Sequence, residues 1–235
     1  MLINKFNYTK VDRVSENGKR LYSLPDGSKV PSVTTILDKT KPAEAREALA
    51  NWRKRVGETQ AQEIVTEAAG RGTRMHKFLE DYITQGTINP PGSNPYSVQS
   101  HKMAKVIIEQ GLKNVTEIWG VEVPLYYEGL YAGTTDGAGI HLNDESILDY
   151  KQTNKPKKEE WIQDYYLQLT AYALAHNKVH NTNIRKGVVL MCVKPPESGP
   201  NAGIPVYQEF ILTPDKFSYW ESKWWDRVEQ YYSNK

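Results

Sequence analysis

The spacing of apolar and polar positions changes period several times along the 235-residue chain. Between residues 9 and 29 short alternating runs, TKVDRV and RLYSL, are divided by SENGK and followed by PDGSK. Asn17-Gly18 and Asp26-Gly27 supply the positive backbone angles of tight turns, so this stretch predicts one or two β-hairpins. PSVTTIL at 31–37 predicts a short helix capped by Ser32. Pro42 then opens a helix through AEAREALANWRKR that Gly57 ends. From Glu58 to Thr84 the apolar residues recur at helical spacing, and Gly70 and Gly72 predict a division into two helices. NPPGSNPY at 89–96 interrupts regular structure.

A helix is predicted over roughly 97–111. Three strands follow, TEIWGVEVPLYY, GLYAGTTDGAGIHL and SILDYKQ, and then a long helix from about Lys158 to Ala175. GVVLMCVK has the continuous apolar character of a buried strand, VYQEFILT is a further strand, and 214–233 closes the chain as a helix carrying Phe217, Trp220, Trp224 and Trp225. Helix, three strands, helix, strand predicts an α/β fold on a mixed sheet. No internal repeat interrupts it. Residues 1–110 exceed what a strand core beginning near Thr116 needs. They are expected to form a hairpin and helical cap that lends the helix of His76 to a core at 111–235, which ends in the C-terminal helix.

Composition narrows the function classes. Hydrophobic residues make up 39% and aromatics 11%, polar for a globular chain yet sufficient for a core. No run approaches the ~18 apolar residues of a membrane span. MLINKFNYTK has neither the apolar centre of a signal peptide nor transit-peptide character, so a cytoplasmic, soluble chain is expected. A single cysteine, Cys192, excludes an intramolecular disulfide, a four-cysteine zinc site and a four-cysteine iron–sulfur cluster. The net charge of +2 means that any nucleic-acid contact must come from a local groove rather than a basic surface. Residues 39–58 hold three more basic than acidic side chains, among them Arg53, Lys54 and Arg55. That excess fits either a solvated helix face or such a contact.

The candidate chemistry lies in the strands. With a side-chain period of two, Asp149 and Lys151 share one face of their strand, and Leu148 and Tyr150 share the other. A turn at Asn143-Asp144 would pair this strand with the preceding one and bring Asp136 beside Asp149. Two such carboxylates repel unless a cation intervenes, and hard oxygen ligands suit Mg²⁺ or Mn²⁺. Glu122, one strand earlier, offers a third carboxylate. Gln168 and Tyr172, four apart on the long helix, point the same way. Packing accounts for the tyrosine but not for the glutamine.

The ordered set His76, Glu122, Asp136, Asp149-x-Lys151 and Gln168-x-x-x-Tyr172 resembles the RecB-like exonuclease branch of the PD-(D/E)XK nuclease superfamily. PSVTTIL, RGTRMH (71–76) and YAGTTDG (131–137) are similar to the mitochondrial genome-maintenance exonucleases and their phage and bacterial relatives. The absent targeting peptide suggests a bacterial or viral version. The resemblance covers about residues 31–177 and implies a restriction-endonuclease-like core. It implies that Asp136, Asp149 and the Tyr150 carbonyl hold a divalent metal together with His76, and less securely with Glu122. Lys151 would orient or activate water and oppose phosphate charge, and Gln168 and Tyr172 would support the strand behind it. The implied activity is metal-dependent hydrolysis of DNA, with single strands or frayed ends as partners. Arg53, Lys54, Arg55, Arg71, Arg74, Lys155 and Lys157, with Lys158 beside them, are the expected DNA contacts. A non-catalytic binding module on the same fold and an endonuclease of the superfamily are the competing expectations.

Overall fold

The computed structural model describes residues 2–16 and 19–233. The expected turn at Asn17-Gly18 lies outside the described residues. On either side of it, β1 (Asp12–Glu16) and β2 (Lys19–Ser23) pair antiparallel, and β3 (Lys29–Pro31) joins β2 to complete a three-stranded sheet. Gly27, with φ of +81°, makes the β2–β3 turn, and the Asp26 carboxylate accepts from the Ser28 N–H and hydroxyl. Ser32 caps α1 (Val33–Lys39) by accepting the Thr35 N–H at 2.9 Å.

Helix α2 (Ala43–Val56) starts directly after Pro42 and stops at Gly57, where φ of +93° turns the chain into α3. That helix, Glu58–Gln85, is continuous for 28 residues, so Gly70 and Gly72 do not divide it. Each interior glycine costs about 1 kcal/mol relative to alanine. Tertiary contact offsets this: Met75, Leu79 and Ile83 are buried in one stripe, and Gly72 abuts the Gln152 side chain. Helix α4 (Pro95–Val106) begins two residues earlier than expected, because Asn94 accepts the Tyr96 and Ser97 N–H groups and Pro95 needs no partner there.

The central sheet has the order β4 (Val115–Tyr127), β5 (Tyr131–His141), β6 (Asp144–Thr153), β7 (Gly187–Val193), β8 (Val206–Leu212). All neighbours are antiparallel except β6 and β7. That parallel pair requires a crossover, which α5 (Gln163–His180) provides. Helix α5 starts five residues later than the sequence pattern suggested. The Lys157 backbone N–H and carbonyl are both bonded to the Gln208 side chain, at 2.8 and 2.9 Å, which ties the preceding loop to β8. The β5–β6 turn is centred on Leu142-Asn143, one residue before the expected position, with φ of +47° and +70°.

Helices cover both faces of the sheet. Ile147, Val189 and Met191 pack under α1, α5 and α6 (Phe217–Ser233), whose Phe217 and Trp224 are buried. Leu148, Tyr150, Val188, Leu190 and Cys192 pack under α3 and α4. Every residue of β7 is therefore buried, as expected for a strand covered on two faces. The result is a mixed α/β fold compatible with a restriction-endonuclease-like core. Among the described residues, no helix is long and apolar enough to cross a membrane.

Candidate metal centre and nucleic-acid groove

Strands β5 and β6 form a regular ladder from His141↔Asp144 to Gly137↔Leu148, and beyond that point side chains replace backbone partners. The Tyr150 N–H donates to Asp136 Oδ2 at 2.6 Å, and the Thr135 hydroxyl donates to the Leu148 carbonyl at 3.2 Å. This splayed end holds the predicted acidic pair. Asp149 is buried, with Oδ1 accepting from Lys151 Nζ at 2.6 Å and Oδ2 without a hydrogen-bond partner among the described residues.

Two neighbouring elements complete the cluster. His76 comes from α3, where Met75 and Leu79 seat the helix on the sheet. Its Nε2 lies 2.8 Å from the Tyr150 carbonyl and its Nδ1 3.3 Å from Asp136 Oδ1. Glu122 comes from β4, between Val121 and Val123, whose partners Gly137 and Thr135 flank Asp136. Its φ of +50° is a costly angle for a non-glycine residue, of order 1–3 kcal/mol. Ligand atoms of His76, Glu122 and Asp136 all lie within 4.8 Å of one another.

Electrostatics bear the mark of crowded acids. Burial pushes the Asp149 carboxyl up to about 6, with Lys151 drawing it down and Asp136 driving it up. Burial also raises Glu122, reinforced by Asp136. Asp136 titrates below its usual range: burial opposes ionisation, but His76, Lys151 and the Tyr150 N–H together outweigh it. Burial disfavours a charged His76, yet Asp136 raises the imidazole above its ordinary value. Lys151 is likewise raised, because Asp149 and Asp136 exceed the cost of its burial. It is therefore an ammonium at neutral pH and not a ready proton acceptor.

Gln168 and Tyr172 stand behind this cluster on α5. Burial disfavours ionisation of the Tyr172 phenol and outweighs the Gln168 side chain, which favours it, and the ring lies against Gly133 of YAGTTDG. A Cβ at Gly133 would come within 2.8 Å of the phenol oxygen, so this close approach of helix to strand requires glycine.

Of the expected DNA contacts, Arg55, Lys155 and Lys157 line one cavity of about 620 Å³, together with Trp52 and Tyr165. No acidic residue lines it, and the Lys151 ammonium lies 5.2 Å from the Tyr165 ring centre. Arg71 also borders it but is 1% exposed. Its guanidinium is bonded to Glu67, Gln152 and Asn154, tying α3 to the end of β6. Arg53 is paired with Glu58 and lines a different hollow, with Asp38, Lys39 and Arg46. Arg74 reaches Ser100 and borders a third cavity of about 980 Å³, with Glu58, Glu63 and Glu67, that includes none of the cluster residues. Lys54 is exposed, and Lys158 is exposed beside Glu160.

Sequence reasoning did not single out Trp52 and Tyr165, which line the first of these cavities, or Arg13, which lines a further one with His76 and Glu122. Trp52 had a signal in its position beside the basic run 53–55. Arg13 had none.

No protein-family model matches the chain. It is 28% identical over 221 residues to mitochondrial genome maintenance exonuclease 1 of Xenopus tropicalis, covering 88% of this chain and 58% of that protein. The proteins of the same name from Mus musculus and Homo sapiens are 27% and 26% identical, covering 86% and 88% of this chain and 59% of each. The chain thus spans less than three fifths of the length of the curated relatives it matches. Over most of its own length, the cluster included, the chain is similar to mitochondrial genome maintenance exonuclease 1.

Proposed function

We propose that the chain is a divalent-metal-dependent deoxyribonuclease that degrades single-stranded DNA from free ends. The observation that carries this reading is the splayed end of β5–β6, where His76, Glu122 and Asp136 converge beside a buried Asp149 that keeps one oxygen unpartnered. The donors fit a hard cation such as Mg²⁺ or Mn²⁺, mainly oxygen with one imidazole. His76, Glu122, Asp136, Asp149 Oδ2 and the Tyr150 carbonyl are the groups that would hold it. Such an ion supplies Lewis acidity toward a phosphoryl oxygen and acidifies water.

The remaining chemistry belongs to the chain. The Lys151 ammonium, held by Asp149, faces charge building on the phosphate and positions the scissile group. Gln168 and Tyr172 brace the strands that carry the acids. The cavity with Arg55, Lys155, Lys157, Trp52 and Tyr165 offers phosphate contacts and aromatic faces without base-specific readout, which suits a flexible single strand. In this reading residues 1–110 form a cap that narrows access, so a strand enters by its end. The relatives' name, an exonuclease, supports the same direction.

The test is incubation of end-labelled linear and circular single-stranded DNA of one sequence with Mg²⁺ or Mn²⁺, with and without excess chelator. Linear strands are expected to be degraded only with metal, and circles to resist. Undiminished cleavage in chelator, after removal of bound metal, would overturn the metal reading. Equal rates on circles would replace an exonuclease with an endonuclease.

A further inference from the structure

A further cavity, of about 580 Å³, is walled by Arg13, Thr73, His76, Lys77, Glu80 and Glu122 and shares no lining residue with the Trp52–Tyr165 cavity. Two of these, His76 and Glu122, belong to the metal cluster, so the cavity opens onto it. Its two permanent cations differ in status. Lys77 is occupied by Asp81 at 2.9 Å and Glu80 at 3.4 Å. Arg13 forms no ion pair within 4 Å among the described residues, although its charge is felt by Glu122.

Arg13 is exposed and lies beside an aromatic ring. It sits on β1 directly across from Tyr22 of β2, which is buried, and its guanidinium carbon lies 5.9 Å from the Tyr22 ring centre. Cross-strand pairing of this kind favours a guanidinium lying near the ring. A guanidinium presents a planar fork suited to two oxygens of a phosphate.

We propose that Arg13 binds a backbone phosphate of the substrate strand on the His76 side of the cluster. The N-terminal sheet then contributes a substrate-binding residue to a site otherwise built from α3, β4–β6 and α5. This inference rests on the nuclease reading. The strand runs from the Trp52–Tyr165 cavity, past Lys151 and the acids, into the Arg13 cavity. The rival role, in which Arg13 only neutralises Glu122, makes a different forecast: its removal would strengthen metal binding and leave DNA affinity alone.

The 235-residue chain carrying Lys151→Ala, to suppress cleavage, serves as the parent for binding of fluorescein-labelled oligothymidylate by anisotropy across a salt series with Mg²⁺ present. Adding Arg13→Gln should weaken binding and reduce the slope of log K against log salt by about 0.7, one contact's worth for a single strand. Arg13→Lys should restore the slope and only part of the affinity, because it keeps the charge and loses the fork. On the Lys151-intact chain, Arg13→Gln should raise KM about tenfold with kcat changed less than threefold. The rise in melting temperature given by Mn²⁺ alone should be retained. A wild-type slope for Arg13→Gln overturns the assignment, including the case where affinity falls without a slope change. A chain with native Arg13 and Lys151 that leaves linear single strands intact refutes the nuclease reading instead, a result the anisotropy slope does not share.

Discussion

The β5–β6 hairpin carries charged side chains at both ends, and the ends differ in how those charges are met. Near the Leu142-Asn143 turn the backbone ladder is complete, and opposite charges are close. Lys186 donates to the His141 carbonyl at 2.9 Å and to Asp144 at 3.0 Å, and Tyr207 donates to Glu209 at 2.6 Å. Burial opposes ionisation of Glu209, but His141, Tyr207 and Lys186 hold its carboxyl below the usual range. At the splayed end, the ladder has opened and acids outnumber their partners. Asp149 and Glu122 are both pushed up, and among the described residues an oxygen of Asp149 has nothing to accept from. A charge met by its opposite leaves nothing for a further ion to neutralise, whereas like charges held together await a cation.

The largest expected effect separates the two ends outright. Asp136→Asn, Asp149→Asn and Lys151→Ala should each reduce cleavage about 10³-fold or more, the scale of losing a main electrostatic contributor, with the circular dichroism spectrum unchanged. Lys186→Met, at the turn end, should leave kcat as it was. It should lower stability by about 1–3 kcal/mol, because the His141 carbonyl loses its donor. If Lys186→Met abolished cleavage while Asp149→Asn did not, the functional ends would have to be exchanged.

Metal dependence of stability sharpens the contrast. His76 and Asp149 both have raised pKa values, and metal binding needs both deprotonated. Affinity should therefore climb as pH rises through about 6 and beyond. Metal-free, Asp149 gives its stabilisation at pH below the ordinary carboxylate value and loses it as pH rises through about 6. His76 likewise loses its contribution as pH rises through its elevated value. Metal should thus raise the melting temperature strongly at pH 8 and little at pH 5. An equal rise at both would show that neither group is a ligand. The charge arrangement at the turn end should give no such metal effect.

A smaller effect is expected at Gly133. Gly133→Ala drives a methyl group into the Tyr172 phenol, an overpacking that typically costs about 1–3 kcal/mol. Because Tyr172 backs the acids, cleavage should fall together with thermal stability, and adding Tyr172→Phe should restore only part of either, since it removes the phenol oxygen but leaves the ring Cε1 equally close at 2.8 Å. The smallest effects concern the groove. Arg55→Ala with Lys157→Ala should lower the salt slope of DNA binding by about 1.4, two contacts' worth for a single strand. Arg53→Ala, whose guanidinium is already paired with Glu58, should leave it unchanged. Equal slopes for the two variants would assign Arg55 to the solvated helix face.

Much of this was legible along the chain. Strand periodicity placed Asp149 and Lys151 on one face, and a short turn between two strands placed Asp136 beside Asp149. What failed to show was anything set by distant contact. The glycines at 70 and 72 break a helix considered alone, yet α3 runs through them because Met75, Leu79 and Ile83 are buried against the sheet and Gln152 packs against Gly72. Arg71 reads as a phosphate contact in a basic motif, but Gln152 and Asn154, more than eighty residues away, take its guanidinium.

By itself, then, the sequence determined the α/β order of elements, the acid–lysine strand and the exclusion of cysteine-based metal chemistry. Local rules decide these: side-chain period along one element, turn residues between two, and residue types present or absent. Only the tertiary structure decided that β5 and β6 part beyond Gly137, that Glu122 adopts a positive φ, and that Arg13 and Trp52 border the cavities flanking the acids. Each of these depends on which helix and sheet pack against the splayed end, and that is settled by burial summed over residues far apart in the chain.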